Sequence, residues 1–212
     1  EFRVAGDGAA ANTQYDVGTA DIEGDGVPEI VLAGPGARVR AFRTGGDAVG
    51  VDFLAGDAGK EPNLPLNIAG GDVNGDCSDE IIVLRDGTTL AYSPRDGREL
   101  LAIPTPTAGY TLDVGAGDLD GDGIAEIVTT SVLGNGGVTL HGFDGDGLAR
   151  FDATFDNMAD TIRVALADQT GDGRAEILLG VGAAGNAHVR TLGFATDALS
   201  GDELADVAPV WG

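Results

Sequence analysis

Asp118-Leu-Asp-Gly-Asp-Gly-Ile-Ala-Glu126, followed at once by Ile127-Val-Thr, is the clearest of four copies of one acidic loop. The others read Asp21-Ile-Glu-Gly-Asp-Gly-Val-Pro-Glu29, Asp72-Val-Asn-Gly-Asp-Cys-Ser-Asp-Glu80 and Asp168-Gln-Thr-Gly-Asp-Gly-Arg-Ala-Glu176. Their first residues, 21, 72, 118 and 168, lie 51, 46 and 50 residues apart. A near-constant period of this length marks a repeat architecture.

Oxygen-bearing side chains recur at loop positions 1, 3, 5 and 9, and position 7 is free to offer a backbone carbonyl. The first copy supplies Asp21, Glu23, Asp25, Val27 and Glu29; the second Asp72, Asn74, Asp76, Ser78 and Glu80. The third supplies Asp118, Asp120, Asp122, Ile124 and Glu126, and the fourth Asp168, Thr170, Asp172, Arg174 and Glu176. Alternating oxygens that curl around a point suit Ca²⁺, which takes about 6–8 such ligands in flexible geometry; Mg²⁺ prefers to keep waters. Up to four Ca²⁺ are therefore expected. Charge count places the first and third sites tightest. Asn74, with Cys77 at a position that is glycine in the other copies, predicts a distorted second site; Thr170 predicts a weakly charged fourth.

These are not EF-hand loops, which need a bidentate Glu at position 12 and flanking helices. Here the acid at position 9 opens a short β-branched run, so the loop joins two strands. Asp86-Gly87, Asp96-Gly97 and Asp144-Gly-Asp-Gly147 lack the spaced acid and read as plain turns.

The 212-residue chain has a formal charge of −23, and 36 glycines accompany many short apolar runs. Fourteen of its 35 acids stand among the proposed ligands. Clustered acids repel without metal, so metal binding is expected to couple to folding. Nucleic acid is disfavoured as a partner, since phosphate binding needs a basic face, and no stretch reaches the length of a transmembrane span. A single cysteine, Cys77, allows no intrachain disulfide.

Each unit resolves into four strand-like segments. The first is built of small residues, as in Val17-Gly-Thr-Ala, Ile68-Ala-Gly-Gly and Val114-Gly-Ala-Gly. The second follows the loop. The third reads Arg38-Val-Arg-Ala-Phe42, Thr88-Thr-Leu-Ala-Tyr92, Val138-Thr-Leu-His-Gly-Phe143 and His188-Val-Arg-Thr-Leu-Gly-Phe194. The fourth follows a turn, as in Glu99-Leu-Leu-Ala-Ile103 and Leu148-Ala-Arg-Phe-Asp152. Four strands per repeat predict an all-β, β-propeller-type fold, with four blades of about four antiparallel strands and the calcium loop in each first hairpin. Small residues suit the crowded innermost strand; apolar second strands suit burial between blades.

The four Asp-x-[Asp/Asn/Glu/Thr]-Gly-Asp-x-x-x-Glu loops and their following strands resemble the FG-GAP repeats of integrin α-subunit propellers and their bacterial relatives. Leu32-Ala-Gly-Pro-Gly36 is similar to the family's Gly-Ala-Pro element, and Val17-Gly18 and Val114-Gly115 stand where its Phe-Gly would. The resemblance covers nearly the whole chain, read as one domain over 1–212. It implies calcium on one face of a propeller stiffened for extracellular recognition or cell adhesion. Cys77 and Thr170 depart from the pattern, and the family usually needs about seven blades.

Residues 1–5 align with the fourth strand, so 1–16 is expected to be a leading outer strand and linker that completes a blade. Residues 199–206 read as too acidic for a strand. A closed four-bladed ring, a piece of a larger propeller, and a ring completed by two chains all satisfy this pattern.

His141 and His188 do not align, and no Ser/His/Asp or Cys/His spacing argues nucleophilic catalysis. Arg38, Arg40 and Arg43 read as a solvated face; Tyr15, Tyr92, Tyr110 and Trp211 read as packing or edge residues. The expected function is a non-enzymatic, secreted or cell-surface calcium-binding module for protein or polysaccharide ligands. Alternatives are a structural surface or filament subunit that binds other copies of itself, and a propeller enzyme such as a polysaccharide lyase.

Overall fold

The apolar run behind each acidic loop forms the second strand of a four-stranded antiparallel meander. The computed structural model describes residues 15–56, 66–104, 110–133, 136–155, 161–183, 186–194 and 204–207. Blade 1 contains β1 (Asp16–Ala20), β2 (Glu29–Ala33), β3 (Arg38–Phe42) and β4 (Ala48–Leu54). Blade 2 contains β5 (Asn67–Gly71), β6 (Glu80–Arg85), β7 (Thr88–Tyr92) and β8 (Glu99–Pro104). Blade 3 contains β9 (Tyr110–Gly117), β10 (Glu126–Val132), β11 (Val138–Phe143) and β12 (Ala149–Phe155). Blade 4 contains β13 (Thr161–Ala167), β14 (Glu176–Ala183), β15 (Asn186–Phe194) and β16 (Leu204–Val207). Every sheet follows chain order, and the four are arranged as a β-propeller.

Three apolar layers hold the blades together. Val31, Val39 and Ala41 of blade 1 meet Ile68, Ile81 and Val83 of blade 2. Ile82, Leu84 and Ala91 on the opposite face of blade 2 meet Val114, Ala116 and Ile127. Val128, Leu140 and Phe151 then meet Ile162, Val164 and Leu179. Strands sandwiched on both faces lose the usual in-out alternation. Accordingly β6 and β11 are buried along their whole length. On the outer face of blade 1, by contrast, Val17 is 63% and Leu54 52% exposed, and β2 alternates.

The small first strands are the inner ones, packed in the series β1, β5, β9, β13. No contact of that extent joins β13 to β1 among the described residues. The crowding needs glycine: a Cβ on Gly70 would lie 2.4 Å from both Ala20 Cβ and Thr19 O.

One expectation is corrected. Leu204–Val207 is a strand despite the acidic tail, pairing with β15 from Thr191↔Val207 to Phe194↔Leu204. An outermost strand needs a single ladder and tolerates charge, so acidity was a poor guide there. Of the expected leading strand and linker over 1–16, residues 1–14 lie outside the described residues, as does Trp211, and Asp16 is already the first residue of β1.

Candidate metal loops

The loops join β1 to β2, β5 to β6, β9 to β10, and β13 to β14. Each is wound around the aspartate at position 1. Asp21 Oδ2 accepts the Gly26 N–H at 2.7 Å, and Asp118 Oδ2 that of Gly123 at 2.9 Å. Asp168 Oδ2 accepts the Gly173 N–H at 2.9 Å, the largest of the influences that lower its pKa. The position-5 aspartates then accept the N–H of position 7: Val27, Ser78, Ile124 and Arg174 donate to Asp25, Asp76, Asp122 and Asp172 at 2.8–3.0 Å. The structure thus uses the position-7 N–H groups to shape the loop; a metal-bound carbonyl there is a further proposal.

Cys77 does not distort the second loop. It takes φ +67°, beside +81°, +87° and +86° at Gly26, Gly123 and Gly173. Its N–H donates to Asp72 Oδ2 at 2.8 Å, the same bond the glycines make. The residue is held in a left-handed conformation that its Cβ disfavours.

Position 9 brings a buried glutamate to the start of each second strand. Glu29, Glu80 and Glu126 are 2%, 1% and 2% exposed, and Glu176 is also buried. One oxygen of Glu126 accepts the Leu119 N–H at 2.8 Å, and one of Glu176 that of Gln169 at 2.7 Å. In the first two loops Glu29 Oε2 and Glu80 Oε2 are buried without a hydrogen bond. Burial, with the Asp76 and Asp72 charges, pushes Glu80 up to about 7. Burial likewise pushes Glu126 up to about 7, although Leu119 and Arg150 oppose it. Glu29 is raised by burial and the Glu23 charge.

Position 3 differs in every loop. Asn74 Nδ2 donates to Glu80 Oε1 at 2.7 Å, and Thr170 Oγ1 to Glu176 Oε1 at 3.3 Å. Arg43 grips both oxygens of Glu23, at 2.8 and 2.5 Å. Arg150 bridges Asp120 and Glu126.

Among the described residues, two carboxylate triads have ligand atoms within 4.8 Å of one another: Asp118, Asp120 and Glu126, and Asp168, Asp172 and Glu176. These could hold a metal ion. Charge count ranks the first and third loops highest, whereas the convergent triads lie in the third and fourth. An all-oxygen donor set, with a buried unpartnered oxygen in the first and second loops, fits a hard cation.

Adjacent loops are tied together. The position-8 N–H groups of Asp79, Ala125 and Ala175 donate to the position-1 carbonyls of Asp21, Asp72 and Asp118 at 2.8, 2.8 and 2.6 Å. Pro28 occupies position 8 of the first loop and has no N–H to give. A second tie lies five residues before the loops: Asp16 Oδ2 accepts the Ile68 N–H at 2.8 Å, and Asp113 Oδ2 that of Val164 at 2.9 Å. Asn67 Nδ2 donates to Asp113 Oδ1 at 2.8 Å. The recurrence of Asp16, Asn67 and Asp113 at that offset was the available signal for these ties.

His141, Arg38, Arg40, Tyr92 and Tyr15 each meet a neighbouring residue. His141 is buried, with Nδ1 2.6 Å from Asp152 Oδ1. Arg38 pairs with Asp52, and Arg40 lies over the Phe42 ring. Tyr92 is buried against Phe53, ring centroids 4.9 Å apart; Tyr15 lies at Gly34. His188 stands on β15 opposite Val181, Tyr110 opens β9, and Cys77 is an exposed free thiol. Beside the third loop a groove of about 770 Å³ runs between blades 2 and 3, lined by Val73, Arg98, Leu101, Ile124, Asp146 and Arg150 among others. No helix among the described residues is long and apolar enough to cross a membrane.

Among solved structures, AofleA from Arthrobotrys oligospora is 12% identical with a TM-score of 0.57, over 92% of this chain and 57% of that one. An Agrocybe aegerita lectin, described in its specific recognition of non-reducing terminal N-acetylglucosamine, is 20% identical with a TM-score of 0.53, over 85% and 50%. A Bacteroides caccae protein of unknown function is 17% identical with a TM-score of 0.50, over 84% and 56%. At these identities the likeness establishes the fold, and the chain spans about half the length of each. No curated protein sequence matches the chain. A family model described as the FG-GAP-like repeat matches residues 72–129, which run from the second loop through the third into β10. Residues 72–129 therefore match the FG-GAP-like repeat, within a four-bladed β-propeller arrangement.

Proposed function

We propose that the chain is a calcium-stabilised, non-enzymatic recognition module that works outside the cell or at its surface and binds a protein or polysaccharide. The observation that carries the metal reading is the buried, unpartnered oxygen of Glu29 and Glu80 at the mouth of an oxygen-only loop. A buried carboxylate oxygen without a donor is costly, and a Ca²⁺ ion would satisfy it. Calcium also answers the formal charge of −23, since each ion neutralises two of the clustered carboxylates. The extracellular setting rests on calcium supply: extracellular calcium modules bind in the range of about 10⁻⁴–10⁻³ M, which only calcium-rich surroundings fill. Recognition draws on the propeller fold, the FG-GAP-like repeat and the lectin among its structural neighbours.

Calorimetric titration of the full chain with calcium tests the metal reading. Glu29→Gln and Glu80→Gln should each remove or severely weaken one bound ion, while raising the melting midpoint in chelator by neutralising a buried charge. Wild-type stoichiometry in both variants would refute it. Retention on a panel of immobilised glycans, in calcium and in chelator, tests recognition: calcium-dependent retention supports a polysaccharide ligand, and none turns the search to proteins.

Self-assembly is the second reading, favoured by Val17 and Leu54 on the outer face of blade 1 and by Val189 on that of blade 4, all exposed. Light scattering distinguishes the two: calcium-dependent oligomers support self-assembly, and a monomer at high concentration refutes it.

A further inference from the structure

Arg150 reaches into the third loop from β12 and is only 14% exposed. Its Nη1 donates to Glu126 Oε1 at 2.5 Å and its Nη2 to Asp120 Oδ2 at 2.5 Å. Its Nε lies 2.7 Å from Asp144 Oδ1. One guanidinium therefore engages two of the three carboxylates that converge there. In the second and fourth loops a neutral side chain, Asn74 or Thr170, serves the buried glutamate instead. Arg43 in the first loop is half-exposed and holds Glu23 alone.

We propose that Arg150 is the resident cation of the third loop and competes directly with a divalent ion for Asp120 and Glu126. The inference rests on the calcium reading above and reverses one of its consequences. By charge count the third loop is among the tightest sites; with a guanidinium seated on positions 3 and 9 it becomes a weakened one. A bidentate or bridging arginine matches carboxylates well, and a metal must displace it before both oxygens are free. The exchange has somewhere to go. Asp144 already holds Nε, and Asp146 lines the same groove as Arg150. In the absence of metal the arginine keeps Asp120 and Glu126 paired, whereas the second loop carries an unpartnered Glu80 oxygen.

Removing a like charge a few ångströms from a cation site strengthens binding by roughly tenfold, equivalent to about 1.4 kcal/mol. Calorimetric calcium titrations of the full-length wild type, Arg150→Gln, Arg150→Lys and the Asp118→Ala/Arg150→Gln double variant test the competition. One site should tighten about tenfold in Arg150→Gln, tighten less in Arg150→Lys, and vanish in the double variant. Melting gives a second readout. Arg150→Gln should melt lower than wild type in chelator yet gain more from calcium, whereas a purely structural arginine would lower the midpoint without enlarging the gain. An unchanged isotherm in Arg150→Gln, with the Asp118→Ala/Arg150→Gln double variant still losing a site, overturns the proposal and spares the calcium reading. Calcium binding to none of the proteins overturns both. Should Arg150→Gln fail to fold in chelator, Arg150→Lys decides: a tightened site supports the competition and an unaltered one refutes it.

Discussion

Cys77→Gly should stabilise this protein, against the usual direction for a glycine substitution. Cys77 is held at φ +67°, a left-handed conformation that costs a Cβ-bearing residue roughly 1–2 kcal/mol and glycine almost nothing. Its thiol is exposed, so little packing is lost, and its N–H bond to Asp72 does not involve the side chain. Glycine loosens the unfolded chain, which offsets about 0.4–1 kcal/mol. The balance is a gain of about 0.5–1 kcal/mol, or a rise of roughly 1–4 °C in a domain of this size. Urea unfolding in chelator isolates the backbone effect from metal binding, and Cys77→Ala supplies the control because it keeps the Cβ. Glycine should raise the midpoint while alanine leaves it within error. Loss of stability in Cys77→Gly, or an equal gain in Cys77→Ala, would show that the strain does not act as argued.

Gly70→Ala places a methyl group 2.4 Å from Ala20 Cβ and Thr19 O in the inner strands, and should destabilise by at least about 2 kcal/mol in urea. Gly45→Ala, whose added Cβ meets only Asp47 at 4.0 Å, should be tolerated, and equal losses at both positions would refute the crowding argument. The pH response follows from Glu80 and Glu126, both raised by burial to about 7 from an ordinary carboxylate value. A raised carboxylate binds its proton more tightly in the folded state, so metal-free stability should fall as pH climbs from about 4.5 to about 7. Calcium favours the ionised form, so its affinity should rise over the same interval. Melting at pH 5 and pH 7.5, in chelator and in calcium, checks both signs; a metal-free midpoint that rises with pH refutes them.

The loops and most strands were legible because they are local. Period, glycine placement and the β-branched run after each glutamate located β2, β6, β10 and β14, and the third strands β3, β7 and β11 fall on the segments the sequence singled out. What escaped was set by contacts across the chain. Arg43 reaches back 20 residues to Glu23, and Arg150 reaches 24 and 30 residues to Glu126 and Asp120. No loop motif encodes such a partner, so counting acids could not foresee these ion pairs. Cys77 misled for another reason: an absent glycine suggested a different backbone, whereas four N–H bonds to Asp72 hold the same one. The tail misled through composition alone, because Asp206 sits in β16, opposite Leu192.

The ties between loops have a consequence for how the chain responds to a cation. Asp72 arranges its own loop with its carboxylate and, through its carbonyl, holds the N–H of Ala125, the residue next to Glu126. Asp118 stands in the same relation to Ala175 and Glu176. An ion that fixes one position-1 aspartate also fixes the anchor beside the next blade's buried glutamate, and linkage makes the effect mutual. The loops are thus expected to fill as a coupled array, with occupancy at one raising affinity at its neighbours. Pro28, having no N–H, leaves the first loop coupled through this bond to the second alone, as the fourth is to the third, so these two loops should be less cooperative than the second and third.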